Sequence, residues 1–112
     1  MKAVVGSLLF IKDKLDETKQ RPYICMHVFS NNAGIAYNWL VMPITSNDSV
    51  GTDNLVEVTH RKLTSKSWVK INNLQTIAWS DEIEVQGRKF RKQYIKDVRA
   101  KVREIFNTQK DE

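Results

Sequence analysis

The pattern of apolar and polar positions predicts a chain built mainly from short strands. Runs rich in β-branched and aromatic residues predict strands at residues 4–11, 23–29, 36–44, 55–58, 67–71 and 75–79. Gly6 interrupts the first run and indicates a bulge or a close backbone approach, whereas Pro43 predicts the end of the third, since proline cannot donate a ladder hydrogen bond. Short strands at this spacing, with no helix between them, are typical of a small antiparallel barrel or a strongly twisted sheet.

After Gly87 the apolar period changes from two to between three and four, which predicts one C-terminal helix over residues 88–107. Its apolar stripe consists of Phe90, Tyr94, Ile95, Val98, Val102, Ile105 and Phe106. We expect this stripe to pack against the strands. The pattern therefore predicts a single mainly-β domain with a C-terminal helix over residues 1–107, followed by a frayed tail at residues 108–112.

The positive charge is concentrated in the predicted helix. The 112-residue chain carries a formal net charge of +5, and residues 88–107 hold eight basic and two acidic residues. Residues 1–87 contain nine basic and nine acidic residues and are neutral overall. We therefore expect the helix to attract a polyanion over long range, while any phosphate site elsewhere depends on a few local cations.

Several classes of protein are disfavoured by what the sequence lacks. Cys25 has no partner for an internal disulfide, and its apolar surroundings predict a small buried residue rather than a nucleophile. His27 and His60 lie too far apart for the ligand spacing of a zinc site, so no structural metal site is expected. No apolar run approaches the roughly 20 residues that span a bilayer, and we expect a cytoplasmic protein that does not bind a membrane.

One pair of residues has the chemistry of a phosphate site. Arg21, followed by proline, opens the second predicted strand, and Thr45 closes the third. If these strands are antiparallel neighbours, both residues meet at one rim of the sheet. The guanidinium could then stabilise charge on a scissile phosphate, and the hydroxyl could hold one of its non-bridging oxygens. The RNA would supply its own 2′-OH as the nucleophile. The more common alternatives are a surface ion-pair partner for Arg21 and a turn at Thr45.

The order of short motifs along the chain resembles the MazF/PemK-type toxins of toxin-antitoxin systems. The motifs are Gly6-Ser7, Arg21-Pro22, Pro43-Ile44-Thr45-Ser46, Ser67-Trp68-Val69 and Asn73-Leu74-Gln75-Thr76-Ile77. The resemblance implies a small SH3-like antiparallel barrel and a homodimer with a small acidic antitoxin partner. It also implies a sequence-specific endoribonuclease that needs no metal ion or cofactor and cleaves single-stranded mRNA to a 2′,3′-cyclic phosphate and a 5′-hydroxyl. By position, Arg21 and Thr45 match the catalytic residues of the family, and residues 12–20 match its mobile loop beside the RNA groove.

Two departures from the family pattern keep a second class of function open. Ser7 stands where the family usually has aspartate, and Gln75 stands where a positive charge near the groove is expected. These changes are compatible with a non-catalytic SH3-like module, a degenerate toxin that binds nucleic acid or protein. A third alternative, in which the basic helix binds a protein or an acidic lipid surface, requires apolar residues that the helix is expected to use in packing.

Further candidates surround the proposed pair. The predicted RNA-binding residues are Lys19, His27, Ser46, Gln75 and Thr76. His27 is expected near Arg21 as a base or an RNA contact, with a structural role as the alternative. His60 is expected to be solvated. The three tryptophans could stack on bases, but a barrel of this size needs large core residues, and we expect at least two of them to be buried.

Overall fold

The described residues form seven strands and one long helix. The computed structural model describes residues 2–13, 15–16, 18–47 and 54–108, with the backbone alone at 36, 37 and 108. The elements are β1 Ser7–Lys12, β2 Gln20–Ser30, β3 Ala36–Thr45, β4 Leu55–Val58, β5 Ser67–Lys70, β6 Gln75–Ala78, β7 Glu84–Lys89 and α1 Lys92–Thr108. A 3₁₀ turn, Ile71–Asn73, joins β5 to β6.

The strands are arranged in the order β4-β5-β3-β2-β1-β7, and β6 pairs with the same edge of β3 as β5 does. Every strand pair in the described residues is antiparallel. The predicted mainly-β fold with a C-terminal helix is confirmed. The described sheet is not closed into a complete barrel, because β4 and β7 lie at its two ends and do not pair with each other.

Strand β3 contains Pro43 and ends at Thr45, one residue beyond the predicted end at residue 44, so proline marks the end of the strand to within two residues. On one edge of β3, β6 pairs only as far as Val41 and β5 begins to pair at Ile44. Pro43 therefore lies in the gap between two partners, where a missing N–H removes no ladder hydrogen bond on that edge. Thr45 is thus the last residue of β3, as the predicted phosphate site requires.

The prediction that the helix starts at residue 88 is also wrong, since residues 84–89 form the unpredicted edge strand β7. Its register against β1 places Val85 opposite Leu9 and Lys89 opposite Ser7. Most β7 side chains are polar because the strand lies at an edge, and its sequence therefore lacks a clear apolar alternation. The helix ends at residue 108, and residues 109–112 of the predicted frayed tail lie outside the described residues. Residues 48–53, in the polar stretch after the third predicted strand, also lie outside them.

The two faces of the sheet bury separate apolar clusters. In β1, Leu8 belongs to the cluster beneath α1, and the next residue, Leu9, belongs to the cluster on the opposite face. Ile95 and Val98 of α1 complete the first cluster, as the helix stripe predicts, but Phe106 is 73% exposed. No described helix is long and apolar enough to cross a membrane.

Cys25 lies in the second cluster and is fully buried, which confirms its predicted structural role. Burial raises the pKa of its thiol to about 11, because the thiolate would be desolvated. The thiol donates a hydrogen bond to the His27 carbonyl at 3.6 Å. The thiol is therefore protonated at neutral pH, and its sulfur is not available as a nucleophile.

Only one of the three tryptophans is buried, so the prediction of at least two core tryptophans is wrong. Trp39 is 1% exposed in the second cluster, and Trp79, beyond the end of β6, is 49% exposed. Trp68 is half-buried, with the Lys66 ammonium 5.9 Å from its ring centroid. Alternation along β5 buries the residues on either side of Trp68 and directs its ring to the outer face.

Gly6 precedes β1 and adopts a φ of +92°, a conformation that other residues rarely adopt. Its N–H donates to the Cys25 carbonyl at 2.7 Å, and its carbonyl accepts from the Phe90 N–H at 2.8 Å. A Cβ at this position would lie 3.5 Å from the Ile95 side chain. The glycine therefore permits a close approach of β2, α1 and the segment between β7 and α1, which is one of the two alternatives that the sequence predicted.

Candidate active site

The β2–β3 pairing places Arg21 and Thr45 at the same rim of the sheet. Tyr23 pairs with Pro43 in an antiparallel register, and extending this register by two residues puts Arg21 opposite Thr45. Both residues line each of two neighbouring cavities, of about 270 and 980 Å³. The structure thus brings the two predicted catalytic residues together between two cavities that we call the first and the second cavity.

The first cavity lies between the strand rim and the 60–66 segment that joins β4 to β5. Besides Arg21 and Thr45, its polar lining includes Ser46, Lys62, Thr64, Ser65 and Ser67. No carboxylate is among its described lining residues. Hydroxyls together with two cations form a surface that suits phosphate oxygens.

The second cavity lies between the start of the β1–β2 loop and strand β6. Its lining includes Asp13 from the loop, Lys70 from β5 and Gln75 from β6. Gln75, the position where the resemblance expects a cation, therefore opens onto the predicted site, and Lys70 places a positive charge in the same cavity. Lys70 therefore supplies a positive charge to this cavity, although position 75 holds glutamine where the family pattern has a cation.

Arg21 is held on one side only. Its Nε donates to Oδ2 of Asp13 at 3.0 Å, and its side chain remains 57% exposed. The ion-pair alternative considered for Arg21 is therefore present in the structure. Since a guanidinium has five N–H donors, one bond leaves the others to face a ligand, and within the described part of the chain the terminal nitrogens have no protein partner.

Asp13 connects the β1–β2 loop to Arg21. Its Oδ1 accepts from the Leu15 N–H at 2.9 Å, its Oδ2 accepts from Arg21, and its own N–H donates to the Lys19 carbonyl at 2.9 Å. The hydrogen bond from Leu15, followed by that from Arg21, holds the pKa of Asp13 below its ordinary value of 3.8. Asp13 was not among the predicted site residues, although an acid eight residues before Arg21, across a loop, was a signal for it.

The Thr45 hydroxyl accepts a hydrogen bond from the Asn47 N–H at 3.1 Å, so the turn predicted as the alternative for this residue also exists. An accepting hydroxyl keeps its own proton and can donate it to a phosphate oxygen. Ser46, the next residue, lines the first cavity. The turn thus fixes the direction of the Thr45 hydroxyl without using its donor.

The other predicted RNA-binding residues are distributed differently. Gln75 lines the second cavity, but Thr76 points to the opposite face of β6, because side chains alternate along a strand. Lys19 lies at the base of the loop, where its charge contributes to the low pKa of Asp13, and it does not line either cavity.

The prediction that His27 is near Arg21 is wrong. The residues are six positions apart on β2, or about 20 Å at the usual rise of a strand. A β-bulge also shifts the register, with Cys25 opposite Val41 but His27 opposite Leu40, and it moves His27 off the face that carries Tyr23 and Cys25. The His27 ring instead packs edge-on against Phe29, with the ring centroids 4.7 Å apart.

His60 is not simply solvated, contrary to the prediction. Its Nδ1 accepts from the Lys62 N–H at 3.0 Å, and its Nε2 lies 2.7 Å from the Arg88 carbonyl, which assigns the proton to Nε2. Its ring also packs edge-on against Phe90. His60 therefore fastens the 60–66 segment to the end of β7.

Ser7, the first departure from the family pattern, has a structural role outside the two cavities. It is buried, and its hydroxyl accepts from the Val4 N–H at 2.9 Å. Within the described part of the chain, no three residues among histidine, cysteine, aspartate and glutamate are placed to hold a metal ion.

Comparisons with known proteins agree with the motif order. Residues 10–106 match the model of the PemK-like, MazF-like toxins of type II toxin-antitoxin systems, and the matched part contains both Arg21 and Thr45. A search of curated proteins found no match. Because the family model covers most of the 112 residues, the chain belongs to the PemK-like, MazF-like toxin family of type II toxin-antitoxin systems.

Proposed function

We propose that this protein is a toxin that cleaves single-stranded mRNA without a metal ion, leaving a 2′,3′-cyclic phosphate and a 5′-hydroxyl. The observation that carries the proposal is the position of Arg21 opposite Thr45, with both side chains lining the same two cavities. In this reaction the 2′-oxygen attacks the adjacent phosphorus, and the bond from phosphorus to the 5′-oxygen breaks. The protein has to orient the phosphate and stabilise the charge on its oxygens.

Each residue has a defined task in this mechanism. The terminal nitrogens of Arg21 donate to the phosphate oxygens on which charge develops, and the Thr45 hydroxyl donates to one of them. Water accepts the proton that the 2′-OH loses and supplies the proton that the 5′-oxygen gains. Asp13 is a poor general base because its pKa is lowered, so its task is to hold Nε and direct the opposite side of the guanidinium towards the substrate.

A non-catalytic binding module remains the second candidate, and Gln75 is the feature that favours it. This candidate predicts RNA or protein binding through the same cavities without bond cleavage. Two lysines favour the enzyme. Lys70 supplies a cation to the second cavity, which Gln75 lines without a charge, and Lys62 supplies a cation to the first cavity.

The deciding experiment incubates the purified protein with a mixed-sequence single-stranded RNA in the presence of EDTA. We expect fragments whose 5′ ends accept phosphate from a polynucleotide kinase directly and whose 3′ ends carry a cyclic phosphate by mass spectrometry. RNA that is bound but recovered intact would establish the binding module instead.

Removing Asp13 tests its positioning role. We expect Asp13→Ala to lower kcat about tenfold, because an Arg21 side chain that is no longer held samples unproductive geometries. KM should stay unchanged or fall, since a negative charge near the phosphate has been removed. Asp13→Asn keeps one of the two oxygen acceptors, which can still accept from Arg21, and should retain more activity than Asp13→Ala.

The matched control is Asp16→Ala, which removes the same charge from the same loop. Asp16 accepts from Thr18 and has no contact with Arg21. If both alanine variants change kcat equally, the loop rather than the Asp13–Arg21 bond is responsible.

Acidification offers a second check on the Asp13–Arg21 ion pair. The pKa of Asp13 is lowered, so the ion pair persists above pH 3.8 and is lost only as the pH falls through that lowered pKa.

The proposal includes two protein partners. A type II toxin has an antitoxin, and we propose a small acidic one because this chain carries a net charge of +5. We also propose a homodimer. Light scattering after size exclusion should give about twice the 13.0 kDa of one chain at micromolar concentration, and a mass of one chain at all concentrations tested would contradict this part of the proposal.

A further inference from the structure

A second group of cations lies beside the candidate active site. The described residues Thr59, His60, Arg61, Arg88, Lys89 and Arg91 line a cavity of about 420 Å³ that we call the basic cleft. Its arginine and lysine side chains are all exposed, and none of them forms an ion pair within the described part of the chain. Four like charges held together without an acid repel one another, and an anion relieves that repulsion.

The basic cleft exists because part of the positive charge predicted for the helix lies before it. Arg88 and Lys89 end strand β7, and Arg91 lies just before α1 begins at Lys92. Hydrogen bonds of His60 to the Arg88 carbonyl and the Lys62 N–H bring Arg61 to the same place. The cations are therefore fixed by the backbone of two segments rather than spread along a helix face.

The basic cleft and the first cavity adjoin. Arg61 lines the cleft, and Lys62, the next residue, lines the first cavity. The turn that carries both residues is closed by a 3.0 Å hydrogen bond from the Leu63 N–H to the His60 carbonyl. A run of cations thus extends from Arg21 over this turn to Arg91, without a carboxylate among the described residues lining either cavity.

We propose that the basic cleft binds the phosphate backbone of the same RNA strand, several nucleotides away from the phosphate held by Arg21 and Thr45. The inference rests on the proposed function, because its ligand is the substrate of that site. Continuity with a phosphate-binding cavity favours RNA over an acidic protein segment. Among the described residues that line the cleft, His60 alone has an aromatic ring, and this ring packs against Phe90. The cleft therefore binds backbone charge without reading base sequence.

The test compares Arg88→Ala/Arg91→Ala with Lys101→Ala/Arg103→Ala. Both double variants lose two positive charges, but the control pair lies about 15 Å or more farther along α1. The His60 bond uses the Arg88 backbone carbonyl, so it survives the substitution. Binding is measured by fluorescence anisotropy on two fully 2′-O-methylated single-stranded RNAs, which cannot be cleaved: one of about five nucleotides and one of about fifteen.

We expect the cleft variant to bind the longer RNA about tenfold more weakly than the wild type and to bind the shorter RNA with unchanged affinity. The slope of log K against log salt for the longer RNA should fall by about 1.4, or 0.7 for each lost phosphate contact. The control variant should change neither value appreciably. Arg88→Lys/Arg91→Lys should restore binding, since an ammonium also pairs with a phosphate.

Equal losses for the cleft and control variants would overturn the proposal, because they would indicate general attraction by net charge. Equal losses on the short and long RNA would also overturn it, as would unchanged RNA binding combined with weaker binding of an acidic antitoxin peptide. Since the methylated RNAs report binding alone, the result is independent of cleavage. An inactive wild type that still shows the length-dependent loss would contradict the proposed function and leave the RNA-binding cleft established.

Discussion

Arg21→Ala is expected to lower kcat/KM for RNA cleavage by about 10³-fold or more. The guanidinium is the proposed source of positive charge on the scissile phosphate, and removing such a group from a phosphoryl-transfer site typically costs this much. Arg21→Lys should recover only part of the loss, because an ammonium cannot donate to Asp13 and to two phosphate oxygens in one plane. Initial rates on a fluorescently labelled single-stranded RNA measure both variants.

Thr45→Ala should lower the same rate by about 10²-fold, as expected for one lost donor to a charged oxygen. Thr45→Ser keeps the hydroxyl and should retain most of the activity. Arg103→Ala, which removes an exposed cation outside both cavities, is the control for net charge. Undiminished cleavage by Arg21→Ala and Thr45→Ala together would place the chemistry elsewhere in the molecule.

Trp39→Ala is expected to have the largest effect on stability, a loss of about 3–5 kcal/mol in the free energy of unfolding. Its ring is 1% exposed and fills the cluster formed with Leu9, Cys25 and Val41. Such a loss approaches the whole stability of a small domain, so we expect only part of the variant to be recovered as folded protein. Chemical denaturation followed by circular dichroism measures the difference.

Two further tryptophan variants make this prediction specific. Trp79→Ala should cost less than about 1 kcal/mol, because half of that side chain already faces water. Trp39→Phe should cost much less than Trp39→Ala, since Trp39 Nε1 is buried without a hydrogen-bond partner within the described part of the chain and phenylalanine removes that donor. Equal losses for Trp39→Ala and Trp79→Ala would contradict the assignment of a single tryptophan to the core.

Apolar period and turn residues were sufficient to predict six of the seven strands and the helix. The alternation in β4 and the apolar stripe around Val98 are local patterns. Both patterns predict the apolar residues that the first cluster buries. The same reasoning failed for β7, whose residues at an edge have little apolar alternation and whose pairing with β1 joins segments about 75 residues apart. It failed also for His27, because the β-bulge before it depends on the pairing with β3.

The chemistry available to this protein can be read from its amino-acid sequence: an arginine opens one strand, a threonine ends the next, the C-terminal segment is basic, and the motif order identifies the family. Which of these groups meet depends on the folded arrangement of the strands and loops. Asp13 reaches Arg21 across a loop, Lys70 and Gln75 line the same cavity, and His60 brings Arg61 to Arg88. Such contacts are set by strand register and by hydrogen bonds between distant segments, whereas sequence periodicity records only which face of its own element a residue occupies.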